Sequence, residues 1–253
     1  MISNARFITL AEPVVIRPVL PLTFLLLALI SASGHATDPM PMPPGTENAA
    51  PAAPISAVEN ALFVVDHLKT LPARGGNLTY KFAKTGAYEA GYEDRVSLEV
   101  GTVDPKMDNG RTAKMEFLSG DHKTELPPIE GAKGNPVIMG FLERDVREMK
   151  RITGGQPYYY RKRLRLAMVE AKEIKPINIH WNGHDVHAQE IIIDPYKDDP
   201  ARARFARFAN KTYAFVLSDQ VPGGVYSIKS VMHEGNLTGK TMIEETLTLS
   251  ESK

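Results

Sequence analysis

Cysteine is absent from this chain of 253 residues. That absence excludes disulfide bonds, thiolate metal sites, cysteine nucleophiles and an N-terminal cysteine that carries a lipid. An excess of charge of either sign is also missing, because 30 Lys and Arg residues balance 30 Asp and Glu residues. A neutral chain has no overall attraction to polyanions, so we expect no nucleic acid partner.

Local signatures of catalysis are missing too. The chain contains no G-x-S-x-G, no H-E-x-x-H, no P-loop and no dinucleotide-binding fingerprint. Ser218-Asp219 precedes a Val-Pro-Gly-Gly turn, which indicates a loop and not a nucleophile elbow. A triad assembled from distant segments stays open as an alternative. We therefore expect a protein that is not an enzyme and that needs no cofactor.

Residues 1–36 carry the pattern of a cleaved secretory signal. Arg6 and Arg17 precede an uncharged apolar run over 19–32, and the small residues Gly34 and Ala36 follow it. The run is shorter than the roughly 20 residues of a membrane-spanning helix. The sequence therefore predicts a periplasmic protein with its signal removed. An uncleaved N-terminal anchor is the alternative.

Residues 37–55 are rich in Pro and Ala and poor in large apolar side chains. Such a segment buries too little surface to fold, so we expect a flexible tether. The remaining part, 56–253, is about 200 residues long, which suits one domain. A core of that size is large enough to fold in the periplasm without disulfides.

Apolar spacing in the folded part predicts both helices and strands. Helical periodicity marks 55–71, 135–153 and 157–171, and the last two helices form a hairpin through Gly154-Gly155. His67 lies on the first of these helices, where we expect a solvated or locally paired side chain. Alternation of apolar and polar residues marks strands near 77–85, 93–103 and 111–118, and three more strands follow 210.

A β-hairpin is predicted around Asn182-Gly183, the strongest short hairpin signal in the chain. A two-residue loop fixes the register, so Trp181 faces His184 and His180 faces Asp185. The fold class predicted is therefore α+β. One curved antiparallel sheet of about eight strands forms a half-barrel, with an N-terminal helix and an inserted helical hairpin over its concave face.

This order of elements, across roughly 56–250, resembles the periplasmic lipoprotein carriers and receptors of the LolA/LolB type. The resemblance implies an open half-barrel plugged by helices, and it transfers no functional residue. The stretches NPVIMGFLERDVREM, TGGQPYYYRKRLRLAM and SDQVPGGVY are also similar to an uncharacterised bacterial periplasmic family. The expected function is binding or carriage of a hydrophobic ligand or a lipid-modified partner.

Aromatic and large apolar side chains on the strands are the candidates for lining a ligand site between sheet and helices. Ordinary core packing is the alternative for each of them. The candidates are Tyr80, Phe82, Leu98, Met115, Phe117, Trp181, Phe215 and Tyr226.

A basic patch is predicted on the helical hairpin, at Lys150, Arg151, Arg161, Lys162, Arg163 and Arg165. Arginines beside tyrosines hold phosphates or lipid headgroups, so this patch suits peripheral membrane contact. It also suits an acidic patch on an envelope protein, which would make the chain an assembly factor. A solvated helix face is the alternative.

Two further features carry hypotheses. His180, Asp185 and His187 share one face of the predicted β-hairpin, and two His with one carboxylate form a known metal triad. The polar face that any antiparallel hairpin needs accounts for the same residues. The Pro/Gly-rich stretch 125–136 is either a binding loop or a plain surface connection.

Overall fold

Nine antiparallel strands form one open sheet in the computed structural model, which describes residues 54–253 apart from Lys172. The order is β4-β3-β2-β1-β9-β8-β7-β6-β5, so β4 and β5 are the two edges. The strands are β1 Gly76–Thr85, β2 Tyr92–Asp104, β3 Gly110–Phe117, β4 Ile129–Ala132, β5 Ile174–Trp181, β6 His184–Ile193, β7 Lys211–Leu217, β8 Val225–His233 and β9 Thr241–Ser252. The α+β half-barrel class predicted from the sequence is confirmed. The predicted signal and nearly all of the tether lie outside the described residues.

One face of the sheet carries the core. A row of apolar residues crosses six strands by direct pairing, from β1 through β9, β8, β7 and β6 to the edge strand β5. The row consists of Phe82, Leu247, Ile228, Phe215, Ile191 and Ile174. All but Ile174 are buried. Paired residues in neighbouring strands point to the same side of a sheet, so this row defines the covered face.

Two helices cover that face. Helix α2 spans Val137–Thr153, and α3 spans Pro157–Glu170. Asn135 caps α2 by accepting a hydrogen bond from the Val137 N–H, and Gly154 ends it in the left-handed conformation. The predicted helical hairpin is thus present. No helix among the described residues is long and apolar enough to span a membrane.

The N-terminal helix predicted over 55–71 is wrong as a continuous element. The chain instead forms a short turn α1, Ala57–Glu59, then π-helical Asn60–Val64 and a 3-10 turn Leu68–Thr70. Val65 is extended, with ψ of 134°, and interrupts the helix. Adjacent β-branched residues favour this break, and Asp66 caps the following turn by accepting from the Lys69 N–H. We call residues 57–71 the N-terminal segment.

The stretch 125–136 contains a ninth strand that the sequence analysis treated as loop. Strand β4 pairs with β3 at Arg111↔Ala132 and Ala113↔Ile129, with an irregular register between them. Its four residues include Gly131 at φ of 68°. A strand so short, with a glycine inside and two prolines before it, has no readable alternation.

The β5–β6 hairpin has the predicted register. Trp181 pairs with His184, His180 with Asp185 and Asn178 with His187. Asn182 and Gly183 both have positive φ, as the two-residue turn requires.

Candidate functional site

A cavity of about 600 Å³ lies between the N-terminal segment and the β5–β6 hairpin. The β7–β8 turn, residues 218–224, supplies its third wall. Its apolar lining consists of Ala61, Val65, Pro176, Ile177, Ala188 and Leu217. Its polar lining consists of Asp66, His67, Lys69, Thr70, Asn178, His187, Gln189, Ser218 and Asp219. This volume falls within the range of small-molecule sites in proteins, about 300–1,000 Å³.

Strand alternation brings polar side chains of the hairpin to this cavity. Ile191 belongs to the core row, and Gln189 and His187 share its face because they lie two and four residues away on β6. Gln189 also pairs directly with the buried Leu217. The polar face of the hairpin therefore lies on the same side of the sheet as the core row, although Gln189 and His187 themselves are exposed. On this side of the sheet, the apolar core ends at Ile191, and polar residues of the hairpin line the cavity beyond it.

His67 forms part of the wall opposite the hairpin. It is buried, which corrects the expected solvated position on a helix. Its Nε2 donates to the Ala61 carbonyl at 2.8 Å, and its Nδ1 accepts from the Asn135 N–H at 3.2 Å. Burial lowers the pKa of His67, an effect that the Ala61 carbonyl only partly offsets. These contacts hold the ring as one neutral tautomer.

The β7–β8 turn packs tightly against the N-terminal segment. The Gly223 N–H donates to Thr70 Oγ1 at 2.7 Å, and Asn135 Nδ2 donates to the Gly223 carbonyl at 2.8 Å. Gly224 has φ of 71°, and a Cβ placed there would lie 2.9 Å from the His67 Cβ. Only glycine fits this conformation and this approach, so the Gly-Gly turn fixes the width of the cavity.

None of the eight predicted lining residues borders this cavity. Six of them are buried in the core: Tyr80, Phe82, Leu98, Met115, Phe117 and Phe215. Trp181 and Tyr226 are half-buried and pack edge to face, with ring centroids 6.3 Å apart. Trp181 lies on the opposite face of the hairpin from His187 by strand alternation.

The three residues of the predicted metal triad do not converge. His180 Nδ1 lies 3.0 Å from Asp185 Oδ1, but both side chains are exposed. His187 instead donates from Nδ1 to Asn178 Oδ1 at 2.9 Å. Across the residues that the structure describes, no group of three or more His, Asp or Glu side chains is arranged to hold a metal ion.

Acidic partners neutralise half of the predicted basic patch. Arg161 pairs with Glu143 at 2.5 Å, and Arg163 lies 3.3 Å from Asp199. Arg151 contacts an acidic pair, Glu89 and Glu148. The other three members of the patch, Lys150, Lys162 and Arg165, are exposed.

A buried network of charges between α2 and the sheet was not predicted from the sequence. Lys84 Nζ lies 2.5 Å from Glu89, 2.6 Å from Glu148 and 3.6 Å from Glu245. Arg144 donates to Glu245 at 2.7 Å. Burial alone would raise the pKa of Glu148, but hydrogen bonds from Arg151 and Lys84 outweigh it and lower that pKa.

A second buried group lies beside this network. Asp145 of α2 is fully buried and accepts hydrogen bonds from the Lys211 ammonium and the Tyr213 hydroxyl of β7. In the sequence, Asp145 interrupts the apolar stripe of α2 and Lys211 begins a strand. Those placements are ordinary for exposed residues, so only the packing of α2 across β1, β9 and β7 reveals the pairing.

No family model matches the chain, and no curated protein matches it. Two of the solved structures that match the chain are similar to it at low sequence identity. The lipoprotein LppX of Mycobacterium tuberculosis is 9% identical with a TM-score of 0.30, and the match covers 74% of this chain and 89% of LppX. A LolA superfamily protein of Nitrosomonas europaea is 10% identical with a TM-score of 0.20, covering 74% of this chain and 91% of that protein. The chain is similar to both over these ranges, and no fold, function or residue role is carried over from either.

Proposed function

We propose that the protein is a non-enzymatic binding or carrier protein of the bacterial periplasm, which takes an apolar chain into the cavity beside the N-terminal segment. The predicted signal over 1–36 would deliver it to that compartment. The ligand is a free lipid-like molecule or the lipid chain of a modified partner.

The cavity is the observation that supports this function. Its wall is apolar at Val65 and Leu217, while His187, Gln189 and Asp219 supply polar groups along other parts of it. A site that binds an amphiphile needs both kinds of wall, since the chain must leave water and the head must keep its hydrogen bonds.

Native mass spectrometry of the secreted protein, purified from a periplasmic extract without metal-affinity resin, tests the proposal. We expect a bound mass of lipid size. Val65→Trp places an indole at the cavity wall from a half-exposed position, so it should remove most of the bound species.

Val64→Trp is the matched control, because Val64 is the neighbouring residue, is 51% exposed and does not line the cavity. It should keep the bound mass. Equal loss in both variants, or a chain that carries no ligand from the extract and takes up no added amphiphile, would contradict the proposed function.

A further inference from the structure

The volume of the cavity limits the size of its ligand. One water molecule occupies ~30 Å³ in the liquid, and we assign the same volume to each non-hydrogen atom of a ligand. A cavity of about 600 Å³ then holds on the order of 20 non-hydrogen atoms. A single acyl chain with a small head has that size, whereas a lipid with two long chains is far larger. The cavity therefore suits an amphiphile with one chain.

Several polar groups of the wall already have partners within the protein. Ser218 Oγ donates to the His187 carbonyl and accepts from the Gln220 N–H. Thr70 Oγ1 donates to the His67 carbonyl and accepts from the Gly223 N–H. Both ring nitrogens of His67 are engaged as described above. These groups hold the walls together and leave little hydrogen-bonding capacity for a ligand.

The groups left for a ligand head include acceptors at His187 and Asp219 and donors at Lys69, Asn178 and Gln189, so the balance of charge distinguishes one head from another. The His187 Nδ1–H is donated to Asn178, so in the neutral ring Nε2 is an acceptor. Asp219 is exposed, and within the described part of the chain its carboxylate makes no ion pair. Asp66 and Asp219 together place two carboxylates on the lining, against the single ammonium of Lys69. A head that donates hydrogen bonds and carries positive charge complements this wall.

From the volume and the acceptors, we infer that the ligand is a single-chain amphiphile whose head is an amine or a hydroxyl, recognised by His187 and Asp219. This inference rests on the proposed function, because it names the class of ligand for the same cavity. An ammonium head donates a charge-assisted hydrogen bond to Asp219, while a carboxylate head is repelled by two acids and attracted by Lys69 alone. The cavity thus selects against fatty acids and for amines and alcohols.

Isothermal titration near pH 7 with three probes of equal chain length tests the inference. The probes are dodecylamine and dodecanoate, each below its critical micelle concentration, and 1-dodecanol below its solubility limit. We expect dodecylamine to bind about tenfold more tightly than dodecanoate, with dodecanol between them. Dodecanoate binding as tightly as dodecylamine would overturn the inference and leave the proposed function intact. Failure of all three probes to bind would contradict both.

Variants separate recognition of the head from burial of the chain. Asp219→Asn should weaken dodecylamine about threefold and leave dodecanol unchanged, because only the amine is charged. His187→Leu should weaken both about fivefold through the lost acceptor. The controls are Asp185→Asn and His180→Leu, two exposed residues of the same hairpin outside the cavity lining. If the controls change affinity as much as the cavity variants, the assigned roles are wrong.

Discussion

His67 is a residue of the cavity wall whose hydrogen bonds require its ring to stay neutral. Its Nδ1 accepts from the Asn135 N–H while its Nε2 donates to the Ala61 carbonyl. A second proton would bind at Nδ1, where it would point at the Asn135 N–H and remove that hydrogen bond. Burial also disfavours the charged form. A buried histidine in this setting holds the N-terminal segment to the start of α2 only while it is neutral.

This arrangement predicts a pH dependence of stability. The pKa of His67 is lowered in the folded protein from its ordinary value of 6.5, so the unfolded chain binds a proton first as the pH falls. The stabilisation is complete above about pH 6.5 and is lost as the pH falls from there towards the lower, folded-state pKa. Urea unfolding of the wild type between pH 8 and pH 5 should show this loss.

His67→Gln should flatten that dependence, since glutamine does not titrate. His180→Gln is the matched control, because His180 is exposed and outside the cavity wall. It should keep the wild-type dependence. An equal pH dependence in the wild type and His67→Gln would show that His67 is not the group responsible.

Sequence reasoning could not find these residues for a physical reason. His67 lies in a segment whose apolar spacing predicts an ordinary helix, and one of its two partners, Asn135, is 68 residues away in the sequence. Hydrogen bonds of that kind leave no local pattern. The Gly-Gly turn at 223–224 was predicted from its residues, but the need for glycine against His67 is visible only in the packing.

At the level of elements, a buried ion pair joins α2 to strand β7 of the sheet. The Asp145 and Lys211 side chains are 1% and 2% exposed, so neither charge is hydrated and each is stabilised by the opposite charge beside it. Removal of one partner leaves a buried charge unpaired, which costs about 3–5 kcal/mol. Replacement of both by apolar residues of similar size avoids that cost and leaves only the smaller cost of the Tyr213 hydroxyl losing its acceptor.

We therefore predict that Asp145→Leu lowers the free energy of unfolding by about 3–5 kcal/mol, and that the double variant Asp145→Leu, Lys211→Met recovers most of it. Urea unfolding measures both. Lys133→Ala is a control for ion pairs in general, because the exposed pair of Lys133 with Asp108 should contribute less than about 1 kcal/mol. A double variant no more stable than the single one would contradict the mechanism.

The elements were predictable where their signals are local. The β5–β6 register follows from the two-residue Asn-Gly turn, and the ends of α2 follow from Asn135 and Gly154. The N-terminal helix failed because Val65 fits the helical spacing of Leu62 and Leu68 although the chain extends at Val65. Strand β4 failed because four residues with a glycine give no alternation.

At the level of the whole molecule, the location of the cavity depends on which side of the sheet the polar face of the hairpin occupies. Sequence analysis sorted the hairpin residues correctly into two sets, since alternation is local. It expected the polar set to face solvent, and the members of that set are exposed. Pairing through Ile191 and Phe215 adds that they lie on the same side of the sheet as the core row. The choice between the two sides is made by contacts across the sheet, which no single strand encodes.

The central claim is that an apolar chain enters this cavity and not the aromatic core between the sheet and α2. Backbone amide shifts from heteronuclear NMR, recorded while dodecylamine is titrated into the isotope-labelled protein without residues 1–36, test it most directly. We predict that the shifts concentrate on the lining, at Ala61, Lys69, Gln189, Ser218 and Gly224. Shifts centred instead on the core residues Tyr80, Leu98 and Phe117, or on the basic face of α3, would contradict the claim and place the ligand elsewhere.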